Sequence, residues 1–125
     1  MAARRISAVL CSGDLERSQA FYEHVVGLTL SAETVPNHLL FECVDGTLLV
    51  YGRPALNTAD HTQVRLWTDD VERDVQELES RGAVFEDYDF PTFKTVDHIA
   101  TTSGLGKSAW FKDPDGNTVA LFQPE

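Results

Sequence analysis

Asp14-Leu15-Glu16-Arg17 returns as Asp70-Val71-Glu72-Arg73, and what flanks the two copies decides the fold. Each follows an apolar, β-prone run: Ile6-Ser7-Ala8-Val9-Leu10-Cys11 before the first, Val64-Arg65-Leu66-Trp67 before the second. Each also opens a helical pattern. Leu15, Phe21/Tyr22 and Val25/Val26 form one stripe; Val71, Val75 and Leu78 keep the i, i+4, i+7 spacing of one helix face. Asp14 and Asp70 are placed to cap these helices by accepting hydrogen bonds from first-turn amides. Gly27 and Gly82 follow as stops able to take positive φ. Strand, cap, amphipathic helix and glycine stop recur in order, so the chain is a duplication.

Strands follow each glycine. The first half predicts Thr29–Thr34, His38–Val44 and Thr47–Tyr51, with Asp45-Gly46 as a hairpin turn. The second predicts Val84–Tyr88, Ser108–Lys112 and Thr118–Gln123, the last two joined by Asp113-Pro114-Asp115-Gly116-Asn117. The result is α+β: two tandem βαβββ modules, about 4–54 and 61–125, in one domain spanning 1–125. The short linker, Gly52 to Thr62, suggests that the halves share one sheet system. Residues 89–106 have no counterpart in the first half. They carry Phe90-Pro91-Thr92-Phe93, which reads as a lid or pocket wall.

At 125 residues with 42% hydrophobic and 24% charged side chains, the chain has the composition of a soluble globular protein. No run approaches the ~20 apolar residues of a membrane span, and no signal peptide is evident, so a cytoplasmic location is expected. A net charge of −10 argues against nucleic acid, which selects Lys/Arg stripes, and is compatible with a cationic ligand or simply a solvated surface. Cys11 and Cys43 lie far apart with no CxxC. They read as small core or cavity-lining residues, not as a disulfide or zinc pair.

Three segments together resemble the vicinal-oxygen-chelate (glyoxalase/bleomycin-resistance/dioxygenase) superfamily: Gly13 to Leu28, Thr68-Asp69-Asp70-Val71-Glu72-Arg73, and Trp110-Phe111-Lys112-Asp113-Pro114-Asp115-Gly116-Asn117. The resemblance covers nearly the whole chain and agrees with the duplication. It implies paired βαβββ modules whose curved mixed sheets enclose a cavity, usually in a homodimer. Lyases, dioxygenases, epimerases, thiol transferases and non-catalytic antibiotic-binding proteins share that fold, so the site must choose among them.

In metal-using members four ligands project from equivalent strands. Carried onto this sequence, those positions are Ser7, Leu48, Gln63 and Ala120. A divalent transition metal needs imidazole, carboxylate or thiolate donors. A hydroxyl, an amide and two hydrocarbons do not supply them, so no metal and no cofactor are expected. In character the chain resembles the metal-free antibiotic-binding members.

Period-2 alternation, anchored on those positions, assigns the cavity face. Ser7, Val9 and Cys11 face inward, as do Leu48 and Val50, then Gln63, Arg65 and Trp67, and in the last strand Thr118, Ala120 and Phe122. Phe90, Phe93, His98 and Trp110 complete the expected ligand-binding set, with the facing of Trp110 and Phe111 left open by the register. Trp67 reads either as core or as a ligand platform. Arg65 needs a partner on an apolar strand: Glu42, Asp87, or a ligand's carbonyl or phenolate. His24 reads as surface, His38 and His61 lie near strand starts, and Tyr22 packs inside. A site built from His61 and His98 is an alternative.

The expected function is sequestration of a small aromatic natural product or antibiotic, conferring resistance, by a homodimer with no membrane or nucleic-acid partner. The alternatives are a glyoxalase-fold lyase, isomerase or thiol transferase using Arg65, His98 or Cys11, and an accessory binding domain for a metabolite.

Overall fold

In a computed structural model of the chain, which describes residues 1–54 and 59–125, both copies of the tetrapeptide open a helix in the same way. β1 (Ala8–Ser12) ends on Ser12, whose Oγ accepts the Asp14 amide at 3.1 Å; β5 (Thr62–Trp67) is followed by Thr68, whose Oγ1 accepts the Asp70 amide at 3.1 Å. Asp14 Oδ1 then accepts from Arg17 N at 3.2 Å and Asp70 Oδ1 from Arg73 N at 3.1 Å. The duplication therefore reaches one turn further upstream than the repeated tetrapeptide.

The helices end differently. α2 (Val71–Ser80) closes in a Schellman motif: Gly82, at φ 104°, donates to Glu79 O and Ala83 to Leu78 O. α1 (Leu15–Ala20) widens into a π-helical turn, Phe21–Val26, which Gly27 ends at φ 92° while its amide reaches back five residues to Tyr22 O. A single unbroken α-helix to Val26 was the expectation; the wider turn keeps Tyr22 fully buried, 5.5 Å from the Phe41 ring.

The halves do not share one sheet. Hydrogen bonding separates two four-stranded mixed sheets of matching order, β1-β4-β3-β2 and β5-β8-β7-β6, and the chain divides into two compact units, Met1–Thr58 with Pro114–Gly116 and Ala59–Asp113 with Asn117–Glu125. The expected linker includes residues 55–58, which lie outside the described residues.

In the first unit β1 runs parallel to β4 (Gly46–Gly52), which pairs antiparallel with β3 (His38–Cys43) and, beyond it, the short β2 (Thr29–Leu30). The hairpin loop is Val44-Asp45, one residue earlier than expected, because Cys43 pairs with Gly46. Cys43 is exposed, not a core residue. Leu10, Leu39, Phe41, Leu48 and Val50 share the buried face with Tyr22. The same unit includes Asp115, whose Oδ1 takes the Gly13 amide and the Arg17 guanidinium, each at 2.9 Å.

In the second unit β5 runs parallel to β8 (Thr118–Pro124), which pairs with β7 (Gly106–Lys112) and then β6 (Ala100–Thr102). The core is Val64, Val119, Leu121, Ala109, Phe111 and Phe85 against Val71, Val75 and Leu78 of α2. The predicted strand Val84–Tyr88 reduces to one bridge, Phe85 to Phe111; the edge strand is Ala100–Thr102, from the segment expected to be loop. Residues 86–99 thus leave and rejoin the edge of one sheet. This excursion is tied by an Asp89–Lys94 bridge and by a Val96–Ile99 hairpin whose central residues, Asp97 (φ 52°) and His98 (φ 71°), take the primed turn geometry.

Among the described residues, no helix is long and apolar enough to cross a membrane.

Candidate functional site

Register fixes which side chains share a face. On the face of the second sheet opposite α2, three rows cross the strands: Trp67–Phe122–Ser108, Arg65–Ala120–Trp110 and Thr62–Thr118–Lys112. Rows on one face repeat every ~6.6 Å and strands every ~4.8 Å, so these nine positions span roughly 10 by 13 Å of the sheet.

Its chemistry is aromatic with one cation. Trp67 meets Phe122 edge-to-face at 5.0 Å, and the Arg65 guanidinium carbon lies 4.0 Å from the Phe122 ring centre and 5.3 Å from that of Trp67. Phe122 is 2% exposed and Ala120 1%, whereas Trp67 is 67% exposed. Trp67 is therefore a ring held out of the core, not part of it. Of the protein partners foreseen for Arg65, Asp87 is bonded to His98 instead, and among the described residues of its own unit no carboxylate forms an ion pair with Arg65.

A second aromatic group adjoins the Trp110 end. Trp110, Tyr88 and Phe93 meet pairwise at 5.4–5.8 Å, and Phe90 packs on Tyr88 at 5.8 Å and on Phe93 at 5.4 Å. Phe90 (52% exposed) and Phe93 are partly open to solvent. Trp110 Nε1 donates to Thr62 Oγ1 at 3.0 Å, and Phe111 points the other way, into the core, which resolves the register left open by the sequence.

Sequence reasoning missed the polar end of this face. The Tyr88 hydroxyl donates to Glu86 Oε2; Lys112 Nζ lies 3.6 Å from Glu86 Oε1 and donates to Thr118 Oγ1. Burial, then the hydrogen bond to the Glu86 carboxylate, pushes the Tyr88 phenol well above its ordinary range. The signal was there: Glu86, Tyr88 and Phe90 alternate.

Several expected residues belong elsewhere. Leu48 and Val50 lie on the buried face, because parallel pairing places them beside Ala8 and Leu10; Leu49 shares the face of Val9. Gln63 sits at a bulge and its amide is committed to the fold: Oε1 accepts the Thr118 amide at 3.0 Å and Nε2 donates to Asn117 Oδ1 at 3.2 Å. Asn117 is in turn held by Asp113. His98 turns toward α2, with Nε2 2.8 Å from Glu79 and Nδ1 2.8 Å from Asp87, its ring stacked on Phe85. Its adjoining depression, about 360 Å³, is lined by α2 residues such as Val75, Gln76 and Glu79. With both ring nitrogens engaged, His98 is not available for a site with His61. Ser7, Val9 and Cys11 do share a face, in the first unit, with Ser7 Oγ 3.0 Å from Thr47 Oγ1 and Val9 exposed.

Of the residues that the resemblance put forward as ligand positions, Ser7 is a hydroxyl and Leu48 a buried hydrocarbon on the opposite sheet face in the first unit; in the second, Gln63 is a committed amide and Ala120 a buried methyl. Among the described residues no group of three or more His, Cys, Asp or Glu side chains could hold a metal.

The sequence profile of the Glyoxalase/Bleomycin resistance protein/Dioxygenase superfamily matches residues 5–121. No protein of curated function matches the sequence. Among solved structures the chain is similar to TnmS3, an antibiotic binding protein from Streptomyces sp. CB03234 (25% identity, TM-score 0.69, all of both chains covered). It also shares its fold with a bleomycin-binding protein solved with bleomycin (22%, 0.73, covering 98% of this chain and 100% of that one) and with the fosfomycin resistance protein FosX from Listeria monocytogenes (14%, 0.75, 100% and 94%).

Proposed function

Because the chain belongs to the glyoxalase/bleomycin resistance protein/dioxygenase superfamily, we propose that it is a metal-independent binding protein that sequesters a small aromatic natural product or antibiotic and so confers resistance. The observation that carries this reading is the Arg65–Trp67–Phe122 cluster beside the Tyr88–Phe90–Phe93–Trp110 group, in which Trp67, Phe90 and Phe93 are open to solvent and few polar groups are present to orient a ligand. Burying one face of a fused-ring drug there removes apolar area from water and holds the drug away from its target without chemistry. The likeness to TnmS3 and to the bleomycin-binding protein supports the same reading. Cytoplasmic placement and a homodimer are part of the proposal, the latter tested by sedimentation of the purified chain.

Expression in a drug-sensitive host is the direct test, using bleomycin-, mitomycin- and anthraquinone-type compounds. Growth protection with the compound recovered at unchanged mass is expected. Protection with a covalently altered compound would replace sequestration by the enzymatic alternative, a lyase, isomerase or thiol transferase.

A further inference from the structure

We infer that the ligand of this face carries an anionic or strongly electron-rich oxygen at the edge of its ring system, a carboxylate, phenolate or ionised hydroxyquinone, held by Arg65. The inference rests on the aromatic-ligand reading above and adds the charge of the ligand, which runs opposite to what the whole chain suggests.

The chain has a net charge of −10, and an acidic surface favours cations. The strand positions of this face depart from that average. Thr62, Arg65, Trp67, Ser108, Trp110, Lys112, Thr118, Ala120 and Phe122 include two cations and no carboxylate, and Glu86, which borders them beside Trp110, is paired with Lys112 and Tyr88. Lys112 is already satisfied by Glu86 and Thr118. Arg17, Arg73, Arg81 and Lys107 also have carboxylates within 4 Å, whereas Arg65 has neither an ion pair nor a hydrogen bond to any described residue of its own unit.

The stacking decides what Arg65 is free to do. With its carbon 4.0 Å above the Phe122 ring, the guanidinium covers an aromatic face and leaves its N–H edge undirected by the protein. Those donors fork toward two oxygens, the geometry that a carboxylate or an ortho pair of ring oxygens presents. Trp67, two-thirds exposed and 5.3 Å from the same carbon, offers an open ring for the attached ring system to pack against. A cationic ring system would instead meet Arg65 as a like charge, and the carboxylate bordering the face, Glu86, is already engaged by Lys112 and the Tyr88 hydroxyl.

The test uses three probes of one shape: 9-anthracenecarboxylate, 9-anthracenemethanol and 9-(aminomethyl)anthracene, each titrated against the full chain by quenching of tryptophan emission. The carboxylate is expected to bind about tenfold more tightly than the alcohol, as a charge-assisted hydrogen bond would give. The ammonium should bind most weakly, and the carboxylate's advantage should shrink as salt is raised. Arg65→Gln should bring the carboxylate-to-alcohol ratio close to one, and Arg65→Lys should restore only part of it. Circular dichroism confirms that the variants fold, which the exposure of Arg65 favours. Equal affinity for all three probes, or preference for the ammonium, overturns the anion assignment while leaving the aromatic face standing. If none of the three binds, the aromatic-ligand reading fails and the assignment fails with it.

Discussion

Trp67 and Phe122 touch edge-to-face at 5.0 Å, yet replacing each with alanine should produce opposite losses. Phe122 is 2% exposed, and a buried Phe→Ala change costs about 3–5 kcal/mol in lost transfer energy and cavity. Trp67 is 67% exposed. A tryptophan carries up to about 250 Å² of side-chain surface, so the hidden third is about 80 Å², or at most ~2 kcal/mol at ~25 cal/mol per Å². Binding reverses the order. A ligand covering half of what Trp67 still exposes would remove about 80 Å² from water, again ~2 kcal/mol, or roughly thirtyfold in Kd. Urea unfolding followed by circular dichroism, beside calorimetric titration with a compound that protects the host, measures both quantities. Trp67→Ala should lose about thirtyfold in affinity while remaining at least 1 kcal/mol more stable than Phe122→Ala. If Trp67→Ala unfolds as readily as Phe122→Ala, Trp67 is a core residue; if its Kd is unchanged, it is not a platform.

Other residues separate fold from site. Gln63→Leu leaves the Thr118 amide and Asn117 Oδ1 without a partner they now have, so the unfolding free energy from urea titration should fall by about 1–3 kcal/mol with ligand affinity within threefold of the parent. His98→Asn tolerates the positive φ but is too short for Glu79 and Asp87; global stability should drop by less than about 1 kcal/mol, while hydrogen exchange at the Phe90 and Thr95 amides of the excursion quickens. The Tyr88 phenol is raised in the folded chain, chiefly by burial and then by Glu86. Its contribution is thus fully present below the unfolded tyrosine pKa of about 10 and is lost as pH climbs beyond it. Unfolding measured from pH 8 to 11.5 should show that decline in the parent and a shallower one in Tyr88→Phe.

The features legible in the sequence are those set by neighbours in the chain. An Asp cap, a 3.6-residue apolar stripe and a glycine at positive φ are local choices, and both copies form as their residues dictate. The faces were harder because pairing is not local. Anchoring the first-half strands by analogy placed Leu48 inward, but pairing of Ala8 with Leu48 turns it to the core, and a one-residue slip reverses every side chain after it. The bulge between Thr62 and Val64 similarly withdrew Gln63 from the alternation that still holds for Arg65 and Trp67. Within 86–99, the Val96–Ile99 hairpin turns His98 toward α2 while Phe90 and Phe93 stay with Trp110, a division that depends on two residues at positive φ and that hydrophobicity does not encode. Trp67, Arg65, Trp110, Ala120 and Phe122 fall on one face because alternation along uninterrupted strands is reliable.

Sequestration at this face is tested most directly by titrating tryptophan emission with a bleomycin-, mitomycin- or anthraquinone-type compound in two single-tryptophan variants, Trp110→Phe and Trp67→Phe, and weighing the recovered compound by mass spectrometry. Saturable quenching in Trp110→Phe, where Trp67 is the reporter, with the compound returned intact, is the expected result. A compound returned chemically altered, or quenching that never reaches Trp67, would contradict sequestration on the Arg65–Trp67–Phe122 platform.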